Sequence, residues 1–454
     1  MTIVTGSMLV TDALTSGPIS GPISGITPLH DTPIPHADVV RLLAAWIDDG
    51  RADTLHQHER RYGRLPVAGS GHGGVSRHLL IDTVRRAGLR GRGGAGFPTA
   101  DKLATTAAAP GRAVVVANGC EGDPTSSKDH TLLQLAPHLV LDGIAVAAYA
   151  LDAGDTVLCV HDDSPALEPV RRAIAERRDP VPVTVVEVPH RYTASESSAL
   201  VNLITTGQAL PTTGPHAAVR GVHGRPTLVD NVETLAHLAL IARYGDDWFR
   251  EAGTDGSPGS TLLTIGGAVT WPGVYEVEFG IPVSDALELA GGETETLQAV
   301  AVGGLGGTWL PMTTIAELPL THEGFAELDI PMGVTALVAL PVHACGIAET
   351  ARVLDYLADQ SAGQCGPCMF GLPAVAADLA ALAAGRRERG LLTRLRRRLG
   401  VLPGRGACGH PDAAVSFAAS ALATFAEDAR AHAGGRPCAW SLEPSWTPLP
   451  EGTA

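Results

Sequence analysis

The stretch "GLRGRGGAGFP", Gly88 to Pro98, places five glycines within nine residues, beside Arg90 and Arg92. It raises the question of what comes so close to this backbone that side chains are kept away. "GRGGAG" satisfies G-x-G-x-x-G at Gly91, Gly93 and Gly96, but the dinucleotide fingerprint of that form directly follows a strand. Here the preceding "RHLLIDTVRRAG" has the period of an amphipathic helix, which argues against that fingerprint. The physical content of the loop survives. Glycines let backbone N–H groups close on an anion or a flat ring. A helix starting after "GFPTADK" adds a positive dipole end, and Arg90, Arg92 and Lys102 supply charge for a phosphate. A glycine-rich structural turn is the competing reading.

Outward from the loop, the pattern alternates. "RAVVVANG", "TVLCVHDD" and "VPVTVVEVPH" read as buried strands. "TADKLATTAAA", "HTLLQLAPHLVLDGIAVAAYALDAG" and "SPALEPVRRAIAERR" read as helices between them. Strands alternating with helices predict a largely parallel sheet covered on both faces. Residues 37–60 read as helical with a glycine stop, so this α/β unit is expected over 36–245. Before it, residues 1–35 carry the repeat "SGPISGPISG" and are expected to be a disordered tail. After it, "STLLTIGGAVTWPGVYEVEFGIPVSDALELAGG" predicts two strands around a Pro-Gly turn and then a helix, a separate β-rich module over 257–335. Residues 345–433 turn Ala-, Leu- and Arg-rich and helical, and 434–454 form a Pro-rich tail.

Composition bounds the function. The 454 residues carry 33 Lys and Arg against 48 Asp and Glu, a net charge of −15, with 4% aromatics. That balance argues against a general nucleic-acid binder. No long apolar run lacks a Pro or His, so no membrane span is predicted. The N-terminus lacks a charged start followed by an apolar block, so no signal peptide is predicted and a cytoplasmic location is expected. Seven cysteines are too few for a disulfide scaffold in a chain of this length. Cys365, Cys368 and Cys408 lie in Gly-rich contexts, and a cytosolic C-x-x-C points to redox or metal chemistry. Cys159 reads as core packing, and Cys438 as an unliganded cysteine in a tail loop.

Five motifs in order resemble the flavin-bearing, NADH-oxidising subunit of respiratory complex I and its soluble hydrogenase and formate dehydrogenase relatives. They are "GLRGRGGAGFPTADK", "ANGCEGDPTSSKD", "YTASESSALVN", "GRPTLVDNVETLAHL", and "SAGQCGPC" followed by "GACGHPDAA". The 257–335 segment resembles the family's ubiquitin-like β-grasp (SLBB) module. The resemblance implies a Rossmann-like parallel-sheet FMN domain, then the β-grasp module, then a C-terminal helical bundle carrying an iron–sulfur site. It also implies FMN, a cubane-type cluster, and NADH as substrate. Gly91, Arg92, Gly93, Gly94, Ala95, Lys102, Asn118, Tyr192, Glu196, Asp230, Asn231 and Thr234 map to the cofactor site. Glu121 and Asp123 map to its acidic pair, and Phe97 to the ring that stacks on adenine.

The departures from the pattern carry as much information. Cys120 stands for an Asp, Asp230 for an Asn, and Ser195 and Ser197 for a Gly and a Glu. Thr105 and His216 fall where relatives carry adenine-stacking aromatics, and Thr213 where they carry a Lys. Ala362 replaces the first cluster cysteine, leaving Cys365, Cys368 and Cys408 as metal ligands. Cubanes normally take four cysteines. Either the cluster is 3Fe-4S, or it is 4Fe-4S with a fourth ligand from His410, solvent or, more distantly, Cys345. A site without iron, or one holding zinc, is the alternative. Finally, "RRERGLLTRLRRRLG" (386–400) holds seven arginines and one acid. Its 386–398 portion is expected to dock an acidic carrier such as ferredoxin, against the plainer reading of a solvated helical face. The function expected is electron transfer from NADH through FMN and one cluster to a one-electron acceptor, alone or within a larger redox complex. The alternative is a non-catalytic electron-transfer or assembly subunit that kept the fold.

Overall fold

The computed structural model describes residues 40–66 and 76–450. The predicted disordered tail over 1–35 lies outside the described residues. Four strands form an all-parallel sheet: β1 (Val114–Asn118), β2 (Asp155–His161), β3 (Val183–Val188) and β4 (Thr227–Asn231), in the order β3-β2-β1-β4. β1 and β4 are buried nearly throughout, as the run "VVVAN" requires of a strand covered on both faces. The chain leaves β1 toward β2 on one side and returns as β4 on the other. The carboxyl ends of β1 and β4 therefore flank a topological switch point, where open α/β sheets bind ligands.

Two predicted helices are each broken in two. The 37–60 helix becomes Ala44–Asp49 and Leu55–Tyr62. Gly50 ends the first in a left-handed conformation (φ 65°). Thr54 opens the second with a capping box to Gln57, a strong start signal. The long helix after β1 becomes Lys128–Leu135 and Pro137–Leu151, bent by 97°, because Pro137 cannot continue the preceding helix. No single helix among the described residues is long and apolar enough to cross a membrane.

The second sheet has five strands: β5 (Ser260–Gly267), β6 (Gly273–Glu278), β7 (Leu297–Gly303), β8 (Thr308–Pro311) and β9 (Val334–Pro341), in the order β6-β5-β9-β7-β8. β5 and β9 run parallel and the other pairs antiparallel. The expected hairpin around Pro272-Gly273 is β5–β6, and β9 carries the sheet past residue 335. Glu276 of β6 is buried and accepts hydrogen bonds from the backbone N–H groups of Arg41, Leu42 and Leu43 at 2.9–3.1 Å. The chain before the first helix is thus pinned to the second sheet.

The C-terminal unit is helical: Gly346–Asp359, a π-helical turn Pro367–Gly371, Leu372–Ala383, Leu391–Val401, His410–Thr424 and Ala426–Ala433. The tail folds back on it. Glu349 accepts from the N–H groups of Trp446 and Thr447 at 3.2 and 3.1 Å.

Candidate functional site

The five glycines of the loop divide by role. Gly88 caps the helix Arg77–Ala87 at φ 73°. Gly94 and Gly96 take φ of 99° and 60°, conformations that L side chains rarely adopt. A Cβ on Gly94 would meet Val334 at 3.3 Å, and one on Gly96 would meet the His322 ring at 2.6 Å. Gly91 and Gly93 are different. Their φ is not positive, and a Cβ would find nothing closer than 3.6 Å. Both line a cavity of about 540 Å³ at the carboxyl ends of β1 and β4. These are the two positions where free space, not backbone strain, accompanies glycine. The loop closes on itself through Gly91 N–H donating to Phe97 O at 2.9 Å.

The cavity wall gathers most of the predicted residues. Gly91, Arg92, Gly93, Ala95, Phe97, Lys102, Asn118, Glu121, Asp123, Tyr192, Glu196, Asp230 and Asn231 all line it. Asn118 and Asn231 are paired in register across β1 and β4. Asn231 also caps the helix Val232–Arg250, accepting from Glu233 N–H at 3.0 Å. Lys102 reaches in from the helix Thr99–Ala108, its Nζ 3.1 Å from both Val229 O and Asp230 Oδ1. Phe97 stands half-exposed at the wall.

Two predicted residues lie behind the wall. Thr234 is fully buried, and its hydroxyl accepts from Arg92 N–H at 2.8 Å, so it supports the loop from beneath. Gly94 is turned toward Gly333 and Val334 of the β-grasp sheet. The arginine charges are placed differently from expectation as well. The Arg92 guanidinium is buried, donates to Ser260 O at 3.1 Å, and lies 4.6 Å from the Phe279 ring centre. Burial lowers it to about 10 despite Glu233 nearby. Arg90 donates to Gly96 O and is not among the residues of the cavity wall. Arg92 thus offers the cavity its backbone and holds its charge in the core.

The cation that the sequence reading missed is Lys128. It is buried in the wall, with Nζ 2.6 Å from Asp129 Oδ1, 3.0 Å from Glu233 Oε2 and 3.3 Å from Asn231 Oδ1. Burial alone would lower its pKa, but Asp129, Glu233 and Glu121 outweigh that and hold it above its ordinary value. Burial pushes Asp129 up to about 6 although Lys128 opposes it. Glu233 has a net shift down to about 2, where Lys128, His237 and Arg92 overcome the cost of burial. The signal was present in "SSKD", but one lysine beside one acid has no distinctive spacing. Glu121 and Asp123 are engaged too. Glu121 accepts from the N–H groups of Asp129 and His130, each at 3.1 Å. Asp123 accepts from Leu305 N–H at 2.8 Å, tying the cavity to the β-grasp module. Burial raises both carboxyls.

One polar atom stands out. Asp230 Oδ2 is buried and has no hydrogen-bond partner among the described residues. An orphaned acceptor costs about 1–3 kcal/mol, and here it belongs to a residue of the cavity wall. Together with the Gly91–Gly93 cradle and Lys102, it gives the wall an unmet acceptor, open space and a cation. Those features fit the ring imide, ribityl and phosphate of FMN.

The thiol segment borders this cavity. Cys408, Gly409 and His410 form part of its wall. Cys365, on the approach to the π-helical turn, is held below the ordinary thiol range. Burial acts against this, but hydrogen bonds from the N–H groups of Cys368 and Ala407 outweigh it. Burial, then the neighbouring Cys365 and Cys408, push Cys368 up to about 12. The three thiols therefore sense one another. Sulfurs held by backbone N–H groups suit iron–sulfur ligation. Cys345 does not join them: it packs against His432 and Cys438 instead. Cys438, expected to be an unliganded cysteine in a tail loop, lies beside Cys345 and His432. His410 Nε2 lies 2.8 Å from Leu357 O, and its Nδ1 is buried without a partner. Thr105, Thr213 and His216 stay outside the cavity wall.

A glycine cradle at a switch point, bordered by one of three neighbouring thiols, defines a flavin and iron–sulfur electron-transfer protein. Comparison with known proteins agrees. Residues 84–240 match the Nuo51 FMN-binding domain, 262–308 the SLBB domain, and 348–432 the NADH-ubiquinone oxidoreductase-F iron-sulfur binding region. The F-type subunit of the NADH-quinone oxidoreductase of Streptomyces coelicolor is 30% identical over 87% of this chain and 92% of its own. The corresponding protein of Salmonella typhimurium is 31% identical over 84% and 88%. The HndC component of the NADP-reducing hydrogenase of Solidesulfovibrio fructosivorans is 28% identical over 79% and 77%. The solved structure of an NAD+-reducing NiFe hydrogenase in the air-oxidized state superposes with a TM-score of 0.73 at 27% identity. That match covers 87% of this chain and 66% of the other. The chain belongs to the family of F-type subunits of NADH-quinone oxidoreductase.

Proposed function

We propose that this chain is an NADH-oxidising flavoprotein that delivers electrons singly to a small acidic carrier such as ferredoxin, alone or within a larger redox assembly. The observation that carries this reading is the shared wall: the cavity and the thiol loop meet at Cys408–His410. FMN bound in the cavity would supply the change from two-electron to one-electron chemistry. The chain's residues bind and position. Gly91 and Gly93 leave room for a flat ring, Asp230 accepts a hydrogen bond, Lys102 offers positive charge, and Phe97 provides a face for adenine. Cys365, Cys368 and Cys408 would hold the cluster, with His410 Nδ1 or solvent as the fourth ligand. Ser361, beside Ala362, donates to the Cys368 thiol and is a further candidate.

Anaerobic titration of the iron-reconstituted protein with NADH tests this. Bleaching of the flavin absorbance at stoichiometric NADH is expected. A flavin reduced by dithionite but by neither NADH nor NADPH would overturn the dehydrogenase reading. It would favour a non-catalytic electron-transfer protein, to which Thr105 and His216, where relatives stack adenine, already lend weight.

The acceptor face narrows to two arginines. Arg394 and Arg398 are engaged with Asp378, whereas Arg396 and Arg397 have no ion-pair partner among the described residues. Leu402, at the end of their helix, packs on Gly371 of the π-helical turn. Arg396→Glu with Arg397→Glu should slow ferredoxin reduction about tenfold at low salt and spare an uncharged dye. Equal rates with both acceptors would remove the docking role.

A further inference from the structure

Away from the cavity and the thiol loop, three side chains converge that neither uses. Cys345 is the N-cap of the helix Gly346–Asp359, His432 closes the helix Ala426–Ala433, and Cys438 lies in the returning tail. Their ligand atoms lie within 4.8 Å of one another. That leaves room for one ion and not for a four-iron cube. Cys345 and His432 are buried, and Cys438 is half-buried. Cys345 Sγ is 3.7 Å from His432 Nε2. A tetrahedral zinc with ordinary Zn–S and Zn–N bonds has an S···N edge of about 3.6 Å.

The hydrogen bonds decide the tautomer. His432 Nδ1 lies 3.1 Å from the carbonyl oxygens of both Leu382 and Ala383. Two acceptors require Nδ1 to carry the proton. Nε2 is then the lone-pair atom, consistent with its accepting from Cys438 N–H at 3.1 Å. A ring held by its outer nitrogen and presenting the inner one to two sulfurs is the orientation that metal-ligating histidines require, and a metal there would take the lone pair that the Cys438 N–H now uses. Cys345 Sγ also accepts from Ala348 N–H at 3.3 Å at a helix start; burial and Cys438 nevertheless push the free thiol up to about 12, so a bound ion must itself displace the proton.

We propose that Cys345, His432 and Cys438 bind a divalent zinc-class ion, separate from the iron–sulfur site. Two thiolates and one neutral imidazole select a borderline-soft metal. Binding releases two thiol protons to solvent, and the dication cancels the two thiolate charges. Among the described residues no fourth Cys, His or carboxylate joins the group, so water completes the shell on the partly buried Cys438 side. The ion would fasten the tail to the start of the helix that leads to Cys365.

The test is zinc and iron content of the full chain, purified without a metal-affinity step. About one zinc per chain is expected. It should persist when Cys365→Ser and Cys368→Ser remove the iron site, and fall about tenfold or more in Cys438→Ser. Because Cys438 is only partly buried and serine is close to it in size, that variant should still fold, and retained flavin would show it. Cobalt added to zinc-free wild-type protein should give tetrahedral ligand-field bands with thiolate charge transfer, absent in Cys438→Ser. Zinc that is absent from wild type with no cobalt spectrum, or unchanged in Cys438→Ser, would overturn the site. So would a Cys345–Cys438 disulfide in anaerobically alkylated protein.

Discussion

The cavity and the thiol loop share a border but are built from different interactions. The cavity is backed by a buried ionic network in which Lys128 joins Asp129, Asn231 and Glu233, and Glu233 in turn receives Thr261 and Leu262 of the β-grasp sheet at 2.9 Å. Among the described residues the thiol segments have no such network. Their sulfurs are steered by backbone N–H groups, and Met369 and Phe370 beside them are exposed. The difference teaches where each site tolerates change. A side chain facing the cavity that is exchanged should weaken binding while the network behind it holds the shape. The thiol loop gains its function from the sulfurs themselves, so a lost cysteine alters the ligand set outright.

Four substitutions or conditions sharpen that contrast. Gly93→Val should remove most bound FMN, about a hundredfold in affinity, because the side chain would occupy cavity space. Iron content should be unchanged, and assays of flavin release and iron on one sample check both. Cys368→Ala should do the reverse, lowering iron several-fold while FMN stays near stoichiometric. A joint loss in either variant would show the two sites to be one folding unit. Asp230→Ala should weaken FMN binding about tenfold by removing the orphaned acceptor, measured by equilibrium dialysis. The smallest effect concerns pH. Burial pushes Glu276 up to about 7 despite hydrogen bonds from Leu42, Leu43, Ser260 and Arg41. A carboxyl raised above its unfolded value contributes stability that is full below the unfolded pKa and lost as pH rises through the folded one. Denaturant unfolding should therefore show stability falling from about pH 5 to about pH 8, a slope that Glu276→Gln flattens.

Much of this was legible in the sequence. The Gly88–Pro98 loop, the first three parallel strands and the C-x-x-C segment all carry strong local signals. β4 did not, because "TLVDN" is five residues long and runs straight into a helix. β9 was hidden because its parallel pairing with β5 joins residues some seventy positions apart. The split at Pro137 was signalled by the proline, but the apolar run on both sides masked it. Arg92 was misjudged for a physical reason. An arginine in a glycine loop looks like a phosphate ligand, and only packing against Phe279 and Ser260 shows that its charge faces inward. The Cys345–His432–Cys438 group spans 87 residues between its first two members, a spacing no local pattern announces.

The wall formed by Cys408, Gly409 and His410 has a consequence for how this chain can vary over generations. One short segment supplies a sulfur on one side and the lining of a binding space on the other. An inserted or deleted residue there would displace both at once, so its length is under double constraint. Side-chain identity is freer only at Gly409, where a Cβ would meet nothing within 4 Å. Descendants of this sequence should keep the length of this segment and its cysteine, and accumulate almost no gaps.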